Sequence, residues 1–304
     1  MAETSSSWYG LDPPRLCLLL IISAYNATLQ DGSYGPYCVQ GAVRGLNLLG
    51  PGDQSPVGGA INQFLGGIPL PIFSGGDEDC LFLDVYVPGK AIRNPSLGLP
   101  VVVWIYGGAY IFGSKDNFEP LLPFYDGSGL IYESGGEIIF VTMNYRLGAY
   151  GFLSGGTMEK EGLPNAGLWD QRAAFQWVQS YISLLGGDPS QVTAMGESAG
   201  AGSILHHLVG EGGTLDPLFS KAILQSPAYE YMWDRKGTSE AIFQQFAALA
   251  DCEGGSMACL RSASAVTLVT AATALNAAVP DGSFAVGMFE GLPKISKSCA
   301  DTVQ

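Results

Sequence analysis

The sequence is poorest in histidine, with two in 304 residues, adjacent at positions 206 and 207. It is also short of positive charge: 14 Lys and Arg stand against 28 Asp and Glu, for a formal net charge of −14. Nothing in that balance would neutralise phosphates, which argues against a nucleic-acid partner. The acidity reads instead as a source of solubility. Charged residues make up 14% of the chain, below the usual quarter, while 47% are hydrophobic, so the chain folds around a core rather than remaining disordered. No apolar run is long enough to span a bilayer. Residues 17–22 are apolar, but the run is short and follows Glu3, Asp12 and Arg15. It reads as a buried strand or a damaged terminus rather than a signal peptide, which needs a basic start and a longer apolar core. The six cysteines, at 17, 38, 80, 252, 259 and 299, show no metal-site spacing with histidine. There is no internal repeat, and no metal or other cofactor is implied.

What is present alternates between strand and helix signals. Residues 99–106 (LPVVVWIY) and 137–144 (EIIFVTMN) are continuous apolar runs, the mark of parallel strands buried on both faces. Residues 81–88, the stretch ending at Met195, and residues 219–226 (FSKAILQS) read as further strands. Residues 167–185 have helical spacing, with Leu168, Gln171, Phe175, Val178 and Ile182 on or near one face, and 239–250 read as another helix. This order predicts an α/β fold, a mostly parallel central sheet with right-handed crossovers and helices on both faces. Residues 1–24 have no clear organisation, 25–287 carry the domain, and 288–304 form an unassigned tail. Within the domain, residues 25–77 are loop-like. Cys252 and Cys259 are close enough to close a small loop, and pairing would imply an oxidising compartment. Asn26-Ala27-Thr28 is a glycosylation sequon, meaningful only in a secreted chain.

One stretch organises the rest. Gly196-Glu197-Ser198-Ala199-Gly200 lies between a buried strand and a helix, the context of a nucleophile elbow. In a chain with 42 glycines the five-residue pattern alone is weak, and its position gives it meaning. The turn would aim the Ser198 hydroxyl upward at the end of the sheet, and Gly196 and Gly200 would let strand and helix pass closely. The helix N-terminus would supply positive dipole and free N–H groups. Gly107-Gly108-Ala109 ends the LPVVVWIY strand, and ligands in such sheets bind at the carboxyl ends of the strands. These residues read either as a tight strand-end turn or, with the Ala199 N–H, as donors for an oxyanion. Each donor would contribute about 3 kcal/mol to a transition state.

A serine nucleophile needs a base, usually a histidine oriented by a carboxylate. His206 and His207 follow Ser198 on the same predicted helix, and eight residues of helix rise about 12 Å away from the active end. A base must lie within about 3 Å of the hydroxyl. Both histidines are therefore set aside as ordinary helix residues, and Glu290 is considered as the acid and set aside too.

The ordered motifs resemble the type-B carboxylesterase/lipase family of α/β-hydrolases. Residues 78–88 (EDCLFLDVYVP) and 185–200 (LGGDPSQVTAMGESAG) are similar to its two signatures, with Leu185 and Ala194 as departures that look like packing changes. NYRLG at 144–148, GFL at 151–153 and NAGLWDQ at 165–171 match in order and spacing. The resemblance implies an α/β-hydrolase fold and hydrolysis of a small-molecule ester or lipid without a cofactor. It implies Ser198 as nucleophile and Gly108, Ala109 and Ala199 as oxyanion donors, with Gly107 just before them. It implies disulfides Cys38–Cys80 and Cys252–Cys259, an ion pair of Arg146 with Asp170, and more loosely one of Arg15 with Glu78. It also implies secretion, and a family chain cut short at both ends, missing C-terminal strands and the acid and histidine of the triad. Such a chain is expected to turn over slowly or not at all and, with a sheet edge uncovered, to be poorly soluble.

Overall fold

The structure, a computed structural model, describes residues 35–40, 76–116, 125–229 and 236–278. The sequon at Asn26, Arg15, Cys17, Cys299, Glu290 and the 288–304 tail lie outside the described residues.

Five strands form one mixed sheet in the order β1-β3-β2-β4-β5. They are β1 (Leu83–Tyr86), β2 (Leu99–Ile105), β3 (Ile139–Met143), β4 (Gly187–Glu197) and β5 (Lys221–Gln225). The four strands from β3 to β5 run parallel, and β1 runs antiparallel against β3. The two apolar runs became the centre of the sheet. Every residue of β3 is buried, and Val101, Val103 and Ile105 of β2 have no exposed surface. Valine and isoleucine suit this position because their branched side chains fill the pleated faces between layers.

β4 is longer than its apolar core suggests, extending back to Gly187 and forward to Glu197. Its register sets Gly196 beside Ile105 of β2, so the ends of the two central strands lie side by side. β5 behaves differently from a buried strand. All five of its residues are exposed, including Ile223 and Leu224, and among the described residues it pairs only with β4. Apolar composition marked the strand correctly, but its burial depended on its place in the sheet.

The helix predicted over 167–185 is two pieces. An α-helix spans Ala166–Tyr181 (α1), and a 3-10 turn, Ile182–Leu185, follows it. Gly186 ends the turn at φ 85, where a side chain would be strained, and its carbonyl accepts from Leu99 N–H at the start of β2. Helix α1 buries Leu168, Gln171, Phe175 and Val178, the face the spacing marked. Helix α2 (Ala199–Gly213) follows β4, and helix α3 (Thr238–Leu249) follows β5.

Two disulfides tie the periphery. Cys38 is joined to Cys80, 42 residues apart, and Cys252 to Cys259, seven apart. Sequence reasoning passed over Lys115, which is fully buried. Its ammonium donates to Asp84 Oδ2 of β1 at 2.6 Å, with Asp116 at 3.8 Å, so the buried charge is matched.

Candidate functional site

The turn at Ser198 is tighter than its sequence suggests. Strand β4 runs through Glu197, and helix α2 begins at Ala199, which leaves Ser198 as the single residue between them. Its backbone sits at φ 54 and ψ −118, outside the basins that non-glycine residues favour. Such a conformation costs about 1–3 kcal/mol and persists only where the surroundings fix it. Three hydrogen bonds do so here. Ser198 N–H donates to Gln225 O of β5, and Ser198 O accepts from Gly202 N–H and Ala228 N–H, each at 2.9 Å.

The glycines explain how strand and helix come so close. A methyl group at Gly200 would lie 2.0 Å from the carbonyl oxygen of Ile105, and one at Gly196 would lie 2.6 Å from the carbonyl carbon of Gly200. Helix α2 therefore rests its first turn directly on the ends of β2 and β4.

The loop after β2 is the second wall of the site. A methyl group at Gly107 would lie 3.0 Å from Ser198 Cβ and 2.7 Å from Glu197 Oε2, so this loop touches the turn around Ser198. The carbonyl of Gly108 is turned into the loop, where it accepts from Ile111 and Phe112 N–H. Gly108 has φ 117, and Ala109 and Tyr110 follow at φ 52 and 61, two consecutive left-handed non-glycine residues. Ala199 is the first residue of α2, so its N–H has no carbonyl partner within the helix. The structure thus brings Gly107 against Ser198 and Ala199 next to it, with Gly108 and Ala109 continuing the same loop. Burial pushes the Glu197 carboxyl above its usual range.

The histidines point elsewhere. Both are buried on α2, and the His206 ring packs tilted against Tyr229 with ring centroids 4.7 Å apart. His207 ends a directed chain. Ser203 Oγ donates to Ala199 O, and Gln171 Nε2 donates to Ser203 Oγ. The Gln171 amide oxygen therefore faces His207, and at 3.0 Å it accepts the proton carried on Nε2. Burial, then the charges of Arg172 and His206, hold the imidazole down to about 3. Its ordinary value is 6.5, so between these values the unfolded chain takes up a proton that the folded chain refuses. The stabilisation is complete above about pH 6.5 and is lost as pH falls toward 3, at up to about 1.4 kcal/mol per pH unit. Urea midpoints measured from pH 7 to pH 4.5 are expected to fall less steeply in His207→Gln than in the native chain.

Arg146 and Asp170 form a two-pronged ion pair. Arg146 Nε and Nη2 donate to the Asp170 carboxylate, each at 2.8 Å, and Arg146 N–H donates to Asp170 Oδ2 at 3.0 Å. Asp170 and Gln171 are neighbours on α1, so one turn of this helix ties both the segment after β3 and helix α2. Among the described residues no group of His, Cys, Asp or Glu could hold a metal ion.

A strand–serine–helix turn at the carboxyl end of a mostly parallel sheet, with a glycine loop against it, defines an α/β-hydrolase. The comparisons with known proteins go one step further: residues 23–293 match the model of the carboxylesterase family, and the chain belongs to that family. It is 47% identical over 253 residues to a secreted lipase of Arthroderma benhamiae, covering 81% of this chain and 45% of that protein. It is 40% identical over 208 residues to the para-nitrobenzyl esterase of Bacillus subtilis, covering 68% of this chain and 39% of that one. Among solved structures, EstA of Aspergillus niger superposes with a TM-score of 0.62 at 32% identity, over 88% of this chain and 45% of that chain. The chain thus spans about half the length, or somewhat less, of the relatives it matches.

Sequence reasoning missed Tyr110, Gly202 and Ala228. Tyr110 Oη donates to Ala228 O at 3.1 Å, and a methyl group at Gly202 would lie 2.5 Å from that hydroxyl. The available signal was Gly202, a third glycine two residues beyond the elbow.

Proposed function

We propose that this chain carries the nucleophile and oxyanion donors of a serine carboxylic-ester hydrolase. The observation that carries the reading is Ser198 itself, a single strained residue between β4 and α2 with the Gly107 loop against it. Ser198 Oγ attacks the ester carbonyl carbon, and the carbonyl oxygen becomes an oxyanion. The N–H groups of Gly108, Ala109 and Ala199 stabilise it, with the positive end of the α2 dipole behind them. Collapse of the tetrahedral intermediate breaks the bond to the alcohol, which leaves with a proton. The acyl group stays on Ser198 until water releases it as the acid. No cofactor enters these steps.

Neither histidine supplies the base, since both are buried along α2 and His207 is committed to Gln171. The serine proton therefore passes to a base other than these two histidines. The substrate class is a small-molecule ester or lipid, and an extracellular setting is supported by the secreted relative and by two disulfides. Incubation with p-nitrophenyl butyrate is expected to leave a butyryl ester on Ser198, found by peptide mass spectrometry and missing from Ser198→Ala.

A further inference from the structure

We infer that Tyr110 is a positioning residue that locks the oxyanion loop to the nucleophile turn through the peptide of Ala228. The inference rests on the reading of Ser198 as nucleophile. Ala228 makes two bonds in opposite directions. Its N–H donates to Ser198 O at 2.9 Å, and its carbonyl accepts from Tyr110 Oη at 3.1 Å. One residue thus bridges the two walls of the site, across 118 residues of sequence between Tyr110 and Ala228.

The loop needs such a clamp. Ala109 and Tyr110 are both left-handed, a conformation that is strained for an L-residue and that local sequence does nothing to favour. Something distant must hold them, and Tyr110 is held at three points. Its carbonyl accepts from Gly148 N–H at 2.8 Å, its ring meets Phe152 edge to face at 4.9 Å, and its hydroxyl reaches Ala228. The hydroxyl contact leads to Ser198. The ring and carbonyl contacts hold the loop to the body of the domain, and the hydroxyl sets its register against the nucleophile. Gly202 keeps the path open, because a methyl group there would lie 2.0 Å from Ala228 O and 2.5 Å from Tyr110 Oη.

Tyr110→Phe keeps the ring and removes the clamp. The probe is p-nitrophenyl butyrate, and the readout is the p-nitrophenolate burst across substrate concentration, which separates the acylation rate constant from the apparent dissociation constant. A loop displaced by a fraction of an ångström spoils oxyanion alignment but not substrate binding. The acylation rate constant is therefore expected to fall about tenfold to a hundredfold, with an unchanged dissociation constant and a retained cooperative melt. Native-rate acylation of Ser198 in the Phe variant would overturn the clamp and leave the nucleophile reading intact. Loss of the cooperative melt, or a parallel loss of binding, would make the hydroxyl structural and overturn it too. A native chain that never acylates at Ser198 would overturn both readings.

Discussion

Gly200→Ala is expected to destabilise the chain strongly and to silence Ser198. The added carbon would lie 2.0 Å from Ile105 O, 2.7 Å from Ile105 C and 2.9 Å from Tyr106 O. These are backbone atoms at the end of the central strand, so no side chain can swing aside. Helix α2 must lift off the sheet by more than an ångström. That movement opens the contact on which Ser198 depends, because Ser198 O is bonded to Gly202 on α2 and to Ala228 beyond β5. Overpacking of this kind costs about 3 kcal/mol. Urea unfolding measures the loss, and acylation of Ser198 is expected to vanish even in the fraction that remains folded. A variant with native stability would mean that strand and helix are not in the contact described.

The second large effect is expected at Asp170→Asn. The carboxylate accepts two bonds from the Arg146 guanidinium and one from its backbone N–H, and Asp170 is buried. Asparagine keeps the shape and removes the charge, so the guanidinium, itself largely buried at 18% exposure, loses the carboxylate that accepts two of its bonds. Breaking one side of a buried pair typically costs about 3–5 kcal/mol. Because α1 also holds Gln171 against Ser203 of α2, the damage reaches helix α2 and the turn at Ser198. Arg146→Met combined with Asp170→Leu removes both charges and is expected to recover much of the loss, since no uncompensated charge is left behind. Thermal melts of the single and double variants measure this directly.

Much of this arrangement is legible in the residues, and the exceptions share a cause. β2 and β3 announce themselves because a strand buried on both faces leaves an unbroken apolar run. Ser198 is found because its glycines sit at fixed offsets that strand–helix contact requires. The Arg146–Asp170 pair follows from family resemblance, since nothing in the spacing of two residues 24 apart dictates it. What stayed hidden depends on contacts between distant segments. The Tyr110 hydroxyl finds its partner 118 residues away, and Lys115 reaches Asp84 across the sheet. β5 carries the composition of a buried strand, yet its five residues are exposed, because burial depends on which elements cover a strand's faces. The turn at Ser198 was read as five residues and is one, because propensity does not register how far hydrogen bonds to Gln225 and Ala228 can force a single backbone conformation.

The most direct test of the account is the fate of the butyryl group after reaction with p-nitrophenyl butyrate. The native chain, Ser198→Ala and His207→Gln would be digested and mapped by mass spectrometry over a time course. The account predicts a butyryl ester on Ser198, absent from Ser198→Ala and undiminished in His207→Gln. Butyrylation spread over other side chains, or rapid turnover abolished by His207→Gln, would contradict it.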